Sequence, residues 1–284
     1  STPFFCRRRI ASSLFSRSCF SVSIDSVKFT FKLQSYNKVD YFVHHRAKKF
    51  VSLCVNLSQM SSKRRNIELL CPARDYRAAV AAVDCGADAL YIGASGYGAR
   101  RAATNTTTDI ARVVAYAHLF GVRVYVTLNT ILYESELKDA ERLARELIAV
   151  GVDALIVQDM AYREMNLPVE LHASTQVCNM TPEGAKFLED SGFSRVILER
   201  ALSLEEIKAI REATEVDLEC FIHGAICVGH SGRCYLSRSQ SSRSGNRGEC
   251  SQPCRLTYDL VTERGEKLIS GKHLLSVKDF DLSE

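Results

Sequence analysis

The sequence predicts an α/β fold, a TIM-like (β/α)8 barrel that is truncated at its C-terminus and has a cysteine-rich loop after its seventh strand. Short apolar segments alternate with amphipathic segments from residue 67 to residue 224, and regular alternation of this kind predicts a parallel sheet. Short connections favour a closed barrel over an open sheet. No Gly-x-Gly-x-x-Gly motif follows the first strand, which argues against a dinucleotide-binding fold.

Seven short apolar segments are predicted to form the strands. The pattern Gly-Val/Ala-Asp-Ala-Leu occurs at 86–90 and again at 151–155, where it leads into two of them. The strands are predicted at 67–73, 88–93, 123–129, 153–159, 170–176, 195–200 and 217–224. We expect the eighth unit beyond Glu284, so that the chain would be a fragment and its barrel incomplete.

Amphipathic segments between the strands are predicted to form helices at 75–85, 107–119, 135–150, 181–191 and 203–214. The first four are followed by a glycine that can end a helix in the left-handed conformation. These glycines are Gly86, Gly121, Gly151 and Gly192. The last helix begins at Ser203 and has Glu206 three residues later, which is the pattern of a capping box.

Residues 1–66 differ from the rest of the chain in charge and pattern. They contain 13 Lys and Arg against Asp25 and Asp40, and because the whole chain carries +4, residues 67–284 carry about −7. Such a segment resembles an organellar transit peptide, or it is an extension upstream of Met60. We predict an unstructured basic leader at 1–66 and a barrel domain at 67–284. A cytoplasmic location is expected, or an organellar one if the leader is genuine.

Polar residues lie on single faces of three predicted strands and are densest where those strands end. The carboxyl ends of barrel strands form the catalytic rim, so a pocket is expected there. The alternative is that these residues only begin hydrogen-bonded loops. The candidate catalytic residues are Asn129, Gln176, Arg200, Glu219 and His223.

Four cysteines follow the seventh strand with the spacing C-x6-C-x15-C-x3-C. They are Cys227, Cys234, Cys250 and Cys254, and they lie in an insertion that we call the cysteine segment (residues 225–257). Thiolates bind zinc and iron–sulfur clusters strongly. The six-residue gap is wider than is usual in a zinc ribbon, which favours an iron–sulfur cluster, while zinc and plain or redox-active thiols remain alternatives. Four other cysteines are predicted to be small buried side chains: Cys71, Cys85, Cys178 and Cys220.

The cysteine segment is also rich in arginine, with only Glu249 opposing. Its arginines are Arg233, Arg238, Arg243, Arg247 and Arg255. A basic loop beside a pocket can bind phosphates, and so these residues are candidates for RNA contacts. The alternative is a solvated loop. The net negative charge of residues 67–284 argues against a broad nucleic-acid-binding face. No run of about 18 apolar residues occurs, so no membrane partner is expected.

The segment 219–237 reads E-x-F-x-x-G-A-I-C-x4-G-x-C-x-L-S. This motif resembles the signature of peptidase family U32, the collagenase-like proteases. The opening ELLCPA at 68–73, the later Cys250 and Cys254 and the closing LLSVKDF at 274–280 resemble the same family. The resemblance covers about residues 67–284.

The first activity that the resemblance implies is hydroxylation. Better-understood members of the family resemble enzymes that hydroxylate a tRNA uridine, a ribosomal RNA cytidine or a ubiquinone precursor without molecular oxygen. It therefore implies a 4Fe–4S cluster on Cys227, Cys234 and Cys250, with Cys254 as the fourth ligand, prephenate as a co-substrate, and tRNA or rRNA as the partner.

Two alternative hypotheses for the function are also consistent with the sequence. The first is a collagenase-like peptidase that acts on a peptide substrate, as the family name says. No G-x-S-x-G and no H-E-x-x-H motif is present, so a peptidase would have to use Cys227 with His223. The second is a non-catalytic barrel whose cysteines bind structural zinc.

Overall fold

The computed structural model describes residues 19–24, 27–32, 68–99, 104–224, 226–276 and 280–281. Seven parallel strands form its frame, as predicted, and each pairs with the next along the chain. Together with the hairpin described next, the strands are β1 (Cys19–Ile24), β2 (Val27–Lys32), β3 (Leu69–Ala73), β4 (Ala89–Gly93), β5 (Arg123–Leu128), β6 (Ala154–Val157), β7 (Glu170–Ala173), β8 (Arg195–Ile197) and β9 (Asp217–Gly224). The TIM-like fold class is confirmed.

The hairpin β1–β2 lies between the last and the first of the parallel strands. Strand β2 pairs parallel with β9, and β1 pairs antiparallel with β3. Since β9 also pairs with β8, the sheet curls back on itself. No element was predicted before residue 67, although CFSVSI and VKFTFK alternate apolar and polar residues as strands do. The rest of the predicted leader lies outside the described residues.

Helices connect the parallel strands and cover the outside of the sheet. They are α1 (Tyr76–Asp84), α2 (Thr107–His118), α3 (Leu137–Ala149), α4 (Ala161–Glu164), α5 (Pro182–Asp190) and α6 (Leu204–Ala213). The short α4 was not predicted. Helix α6 has the predicted capping box, in which the Ser203 hydroxyl accepts from the Glu206 backbone N–H and the Glu206 carboxylate accepts from that of Ser203.

Two separate apolar clusters hold the barrel together. The larger lies between the strands and the helices and includes Leu90, Val126, Leu155 and Leu198. The smaller fills the inside of the barrel and consists of Leu70, Ala89, Tyr125, Ala154, Ile156 and Ile197, with Tyr91 and Phe221 packed against it. Because strand side chains alternate, one sheet supplies both clusters.

After β9 the chain leaves the barrel pattern. It forms a short helix α7 (Leu236–Gln240), an antiparallel hairpin of β10 (Tyr258–Val261) and β11 (Lys267–Lys272), and a final strand β12 (Phe280–Asp281) that pairs antiparallel with β9. Within the described ranges, none of the helices has the length and apolar character needed to cross a membrane.

Candidate active site at the barrel rim

The amino end of the barrel is closed by a buried network of charges. Arg195 is 1% exposed, and its guanidinium lies 3.4 Å from the Glu68 carboxylate, 3.2 Å from Asp217 and 3.9 Å from Glu219. The Tyr125 hydroxyl donates to Glu68 at 3.1 Å, and burial raises the pKa of that tyrosine. A closed, paired network at this end leaves the opposite rim as the open face of the barrel.

Glu219 belongs to this interior network and does not line the rim. It is 2% exposed and lies level with Ile197 in the middle of the barrel. Alternation placed it correctly on the inward face, but it is only the third residue of an eight-residue strand. Its catalytic role stays a prediction, and it would have to act through the residues above it.

Asn129 and Gln176 lie at the rim, as predicted. The Asn129 amide donates to the Ser174 hydroxyl at 3.0 Å and accepts from the backbone N–H of Ala99 at 2.8 Å. The backbone N–H of Gln176 donates to the same Ser174 hydroxyl at 3.2 Å. These bonds connect the ends of β5 and β7, so the two candidate residues are held side by side.

Asn179 is a rim residue that the sequence analysis missed. Its buried side-chain amide donates to the carbonyl oxygens of Ser174 at 2.9 Å and Ile197 at 2.8 Å. It thus joins the ends of β7 and β8 by satisfying backbone groups that the short strands leave open. Its only sequence signal was its position shortly after a strand, which many loop asparagines share.

Glu199 and Gly232 attach the cysteine segment to the rim. The Glu199 carboxylate is 7% exposed and accepts from the backbone N–H of Ser231 at 2.5 Å. Gly232 has φ +74°, and a Cβ there would overlap the carbonyl oxygen of Gln176. Because that contact leaves no room for a side chain, only glycine at position 232 allows the segment to lie this close to Gln176.

Arg200 places a positive charge next to the first cysteine. Its guanidinium lies 4.1 Å from the centre of the Phe221 ring. Burial raises the pKa of the Cys227 thiol, and the charge of Arg200 partly opposes this rise. Arg200 was predicted to share a rim pocket with Asn129, Gln176 and His223, and its catalytic role stays a prediction. The side chain of His223 lies outside the described residues, although its backbone belongs to β9.

The four predicted ligand cysteines lie in one segment beside the rim. Gly245 packs against both Cys234 and Cys250, and Arg255, next to Cys254, donates to the carbonyl oxygen of Ile226, next to Cys227. Burial raises the pKa of the Cys254 thiol, and the charges of Cys227, Cys250 and Cys234 raise it further. All four are free thiols, with Cys227 and Cys250 exposed and Cys234 and Cys254 half-buried. The other three cysteines therefore lie near enough to Cys254 to oppose its ionisation, and a bound cation would reverse this effect.

The donor set fits an iron–sulfur cluster or zinc in its chemistry, since four cysteines lie in one segment and thiolates bind both strongly. Among the residues whose positions are described, no three His, Cys, Asp or Glu side chains converge closely enough to hold a metal ion. Binding would therefore require the thiols to move together. Gly229 packs against Cys234, and Gly245 packs against Cys250. Because neither glycine has a side chain, both leave space beside these two thiols.

The five predicted RNA-binding arginines fall into two groups. Arg233, Arg238 and Arg243 are exposed. Arg247 forms a two-bond ion pair with Glu136, and Arg255 donates to the carbonyl oxygen of Ile226 at 2.9 Å. The donors of Arg247 are used within the protein, so its predicted role in RNA binding does not fit its surroundings.

The remaining described cysteines agree only in part with the prediction of buried side chains. Cys71 and Cys220 are buried, and burial raises the pKa of the Cys220 thiol. Cys178 is only half-buried. Cys85 is exposed, because it is the residue that caps the end of α1 and faces away from the core.

Comparisons with known proteins point to one family. The family model for peptidase family U32 matches residues 74–284. The 23S rRNA 5-hydroxycytidine C2501 synthase of Escherichia coli is 52% identical over 223 residues, which cover 78% of this chain and 34% of that protein. The tRNA hydroxylation protein P1 of Bacillus subtilis is 35% identical over 82% of this chain and 58% of its own length. The chain thus spans between a third and three fifths of the length of these relatives.

A solved structure of a U32 peptidase supports the fold. It superposes with a TM-score of 0.51 at 19% identity and covers 72% of this chain and 87% of that one. At this level of identity the likeness concerns the fold alone.

Proposed function

The chain belongs to peptidase family U32, and from this premise and the grouping of four thiols above the barrel rim we propose an iron–sulfur enzyme that hydroxylates tRNA or rRNA without molecular oxygen. The observation that carries the proposal is the placement of the four cysteines in one segment beside a polar rim. Gly245 lies against both Cys234 and Cys250, and the hydrogen bond from Arg255 to Ile226 brings the neighbours of Cys254 and Cys227 together. The names of two relatives, one acting on 23S rRNA and one on tRNA, give the substrate class.

The four cysteines would hold a 4Fe–4S cluster. Such a cluster supplies electron transfer that protein side chains cannot perform. Burial and the charges of the other three cysteines raise the pKa of the Cys254 thiol, so a bound metal would favour its deprotonation. The alternative occupant of the same donor set is zinc.

The residues of this chain would bind and orient the reacting groups. Asn129 and Gln176 follow β5 and β7 and are joined through the Ser174 hydroxyl, so that they would shape the rim against which a base or a co-substrate is bound. Arg200 offers a positive charge between the rim and Cys227, where it would attract an anionic group. Prephenate remains the co-substrate that the family resemblance implies.

RNA would approach over the cysteine segment. Arg233, Arg238 and Arg243 are exposed there and can neutralise phosphates. Three such contacts would give a salt dependence of binding with a slope of about −2 to −3 in log–log form. This is a local interaction, in keeping with the net negative charge of residues 67–284.

Cysteine variants of the full chain test the proposal. After anaerobic reconstitution, the variants Cys227→Ser, Cys234→Ser and Cys250→Ser should each bind no iron. RNA treated with any of these variants should contain no hydroxylated nucleoside. Cys85→Ser is the matched control, because Cys85 is exposed and lies outside the cysteine segment. Iron retained by all three variants, or full iron with no modified nucleoside in any tRNA or rRNA, would contradict the proposal.

The family name suggests a second activity, peptide hydrolysis, which the same protein samples can test. A peptidase that uses Cys227 would cleave peptides after iron is removed by a chelator and would stop after thiol alkylation. Such a result would replace the hydroxylase by a peptidase. It would also leave Cys234, Cys250 and Cys254 without a part in the chemistry.

A further inference from the structure

Arg247 lies in the cysteine segment, but its side chain reaches the loop that follows β5. We propose that Arg247 and Glu136 form a clamp that positions the second half of the cysteine segment against the β5–α3 loop (residues 129–136). The inference deepens the proposed function, because the clamp would place the same four thiols over the same rim. It makes Arg247 a positioning residue in place of an RNA contact.

The contacts of Arg247 use both terminal nitrogens of its guanidinium. Nη1 donates to Glu136 Oε2 at 2.8 Å and to the carbonyl oxygen of Ile131 at 2.5 Å, and Nη2 donates to Glu136 Oε1 at 2.5 Å. The guanidinium also covers the Tyr133 ring at 4.1 Å. Forked arginine–carboxylate pairs combine strength with a fixed orientation, which a single surface contact does not provide.

Partial burial strengthens this pair compared with an ordinary surface ion pair. The two side chains are 23% and 24% exposed, so water screens them less than it screens the other arginines of the segment. Hydrogen bonds from Arg247 lower the pKa of Glu136, and those to Glu136 raise that of Arg247. The pair is therefore charged at neutral pH and joins residues 111 positions apart in the chain.

The turn that carries Arg247 touches both halves of the cysteine segment. Asn246 is 4% exposed, and with its amide oriented to suit its neighbours it donates to the carbonyl oxygens of Cys234 and Gly232 at 3.3 Å each. Gly245 packs against Cys250, with a distance of 3.7 Å from its ideal Cβ position to Cys250 Cβ. Holding this turn in place therefore holds Cys234 and Cys250 relative to each other.

The other side of the clamp leads directly to the rim. Ile131 follows the candidate residue Asn129 by two positions, and the backbone N–H of Leu132 donates to Asp159 at the end of β6 at 2.9 Å. The first half of the cysteine segment is already attached through Ser231 and Gly232. Arg247 supplies the second attachment, and two points fix the orientation of a loop where one point allows it to swing.

Hydrogen exchange in the metal-free full chain tests the clamp without metal or RNA. Glu136→Gln should speed amide exchange at residues 244–250 by about tenfold, a change that corresponds to the loss of one good ion pair. Arg247→Gln should speed exchange at 130–136 by a similar factor. Arg247→Lys keeps the charge but not the forked geometry. Its rate of amide exchange at 130–136 should lie between those of wild type and Arg247→Gln.

Arg238→Gln is the matched control in these RNA-free assays, because Arg238 is an exposed arginine of the same segment whose side chain donates to Ser242 within that segment at 2.8 Å. It should leave exchange at 130–136 unchanged. A second measurement, the rate of uptake of ferrous iron and sulfide, should fall about fivefold in Glu136→Gln and stay constant in Arg238→Gln.

Unchanged exchange of 244–250 in Glu136→Gln would overturn the clamp, even if the cluster and the RNA activity were both demonstrated. Conversely, reciprocal exchange effects with no iron uptake in wild type would establish the clamp and reject the proposed function. The two failures can therefore be told apart. A circular dichroism spectrum equal to that of wild type shows that each variant is folded before exchange is compared.

Discussion

Gly232 shows how a single residue decides whether the cysteine segment can approach the barrel. It has φ +74° and lies against the carbonyl oxygen of Gln176. We predict that Gly232→Ala displaces the segment, because the left-handed backbone and the overlap both oppose a side chain. Bound iron in the reconstituted protein should fall by about tenfold or more, while the thermal unfolding of the barrel shifts by only a few degrees.

Gly265→Ala is the control for backbone strain. Gly265 has a similar φ of +82°, but no atom lies within 4 Å of the position of its Cβ. The Gly265→Ala variant should lower the free energy of unfolding by about 1 kcal/mol and leave the iron content unchanged. Equal iron content in the two variants would mean that close approach at Gly232 is not needed.

His172 makes the stability of the barrel depend on pH. It is 0% exposed, its ring packs edge-on against Tyr125 at 4.8 Å, and burial lowers its pKa below the ordinary 6.5. Below pH 6.5 the unfolded chain binds a proton that the folded protein does not. The free energy of unfolding should therefore fall by up to about 1.4 kcal/mol per pH unit from pH 6.5 down to the folded pKa.

Urea unfolding at several pH values measures this slope. His172→Gln removes the titrating group, so its stability should change less than that of wild type between pH 6.5 and pH 5.5. Above pH 7.5 the two proteins should show parallel curves, since the histidine is neutral in both states there. Parallel curves across the whole range would show that His172 does not titrate as the structure requires.

The sequence predicts which polar side chains face the barrel rim more easily than it predicts how deep a side chain lies or which residue it contacts. Strand alternation placed Asn129 and Gln176 at the rim. The same alternation could not show that Glu219 lies below the rim, because depth depends on how neighbouring strands are staggered. Nor could it show that Arg247 pairs with Glu136, since that ion pair joins distant parts of the chain.

At the scale of elements, local signals gave reliable predictions for the helices. Helix α6 begins with the predicted capping box. We predict that Ser203→Ala lowers the free energy of unfolding by about 1 kcal/mol, because a backbone N–H of the first turn loses its acceptor. Ser203→Asp supplies another good acceptor and should stay within about 0.5 kcal/mol of wild type. Equal losses in both variants by chemical denaturation would rule out the cap as the cause.

The elements that the sequence did not predict depend on tertiary pairing. Strands β1 and β2 belong to a segment whose basic composition suggested a leader, yet they pair with β3 and β9. Helix α4 has only four residues, too few for a helical period to be recognised. Hairpin β10–β11 contains both exposed apolar and charged residues, so burial gives it no clear alternation.

At the scale of the whole molecule, the two ends of the barrel differ in chemistry. One end holds charges that are paired around the buried Arg195. The other carries amides, Arg200 and four free thiols. A TIM-like barrel keeps stability and function at opposite faces, which explains why the cysteine segment follows the carboxyl end of β9.

The proposed enzyme depends on an iron–sulfur cluster bound by the four thiols above the rim. Metal analysis and the absorption spectrum of the full chain, purified without air and reconstituted with iron and sulfide, test it most directly. We predict a brown protein with broad absorption in the blue and about four iron atoms per chain. A colourless protein with one zinc per chain, or one that binds no metal, would contradict it.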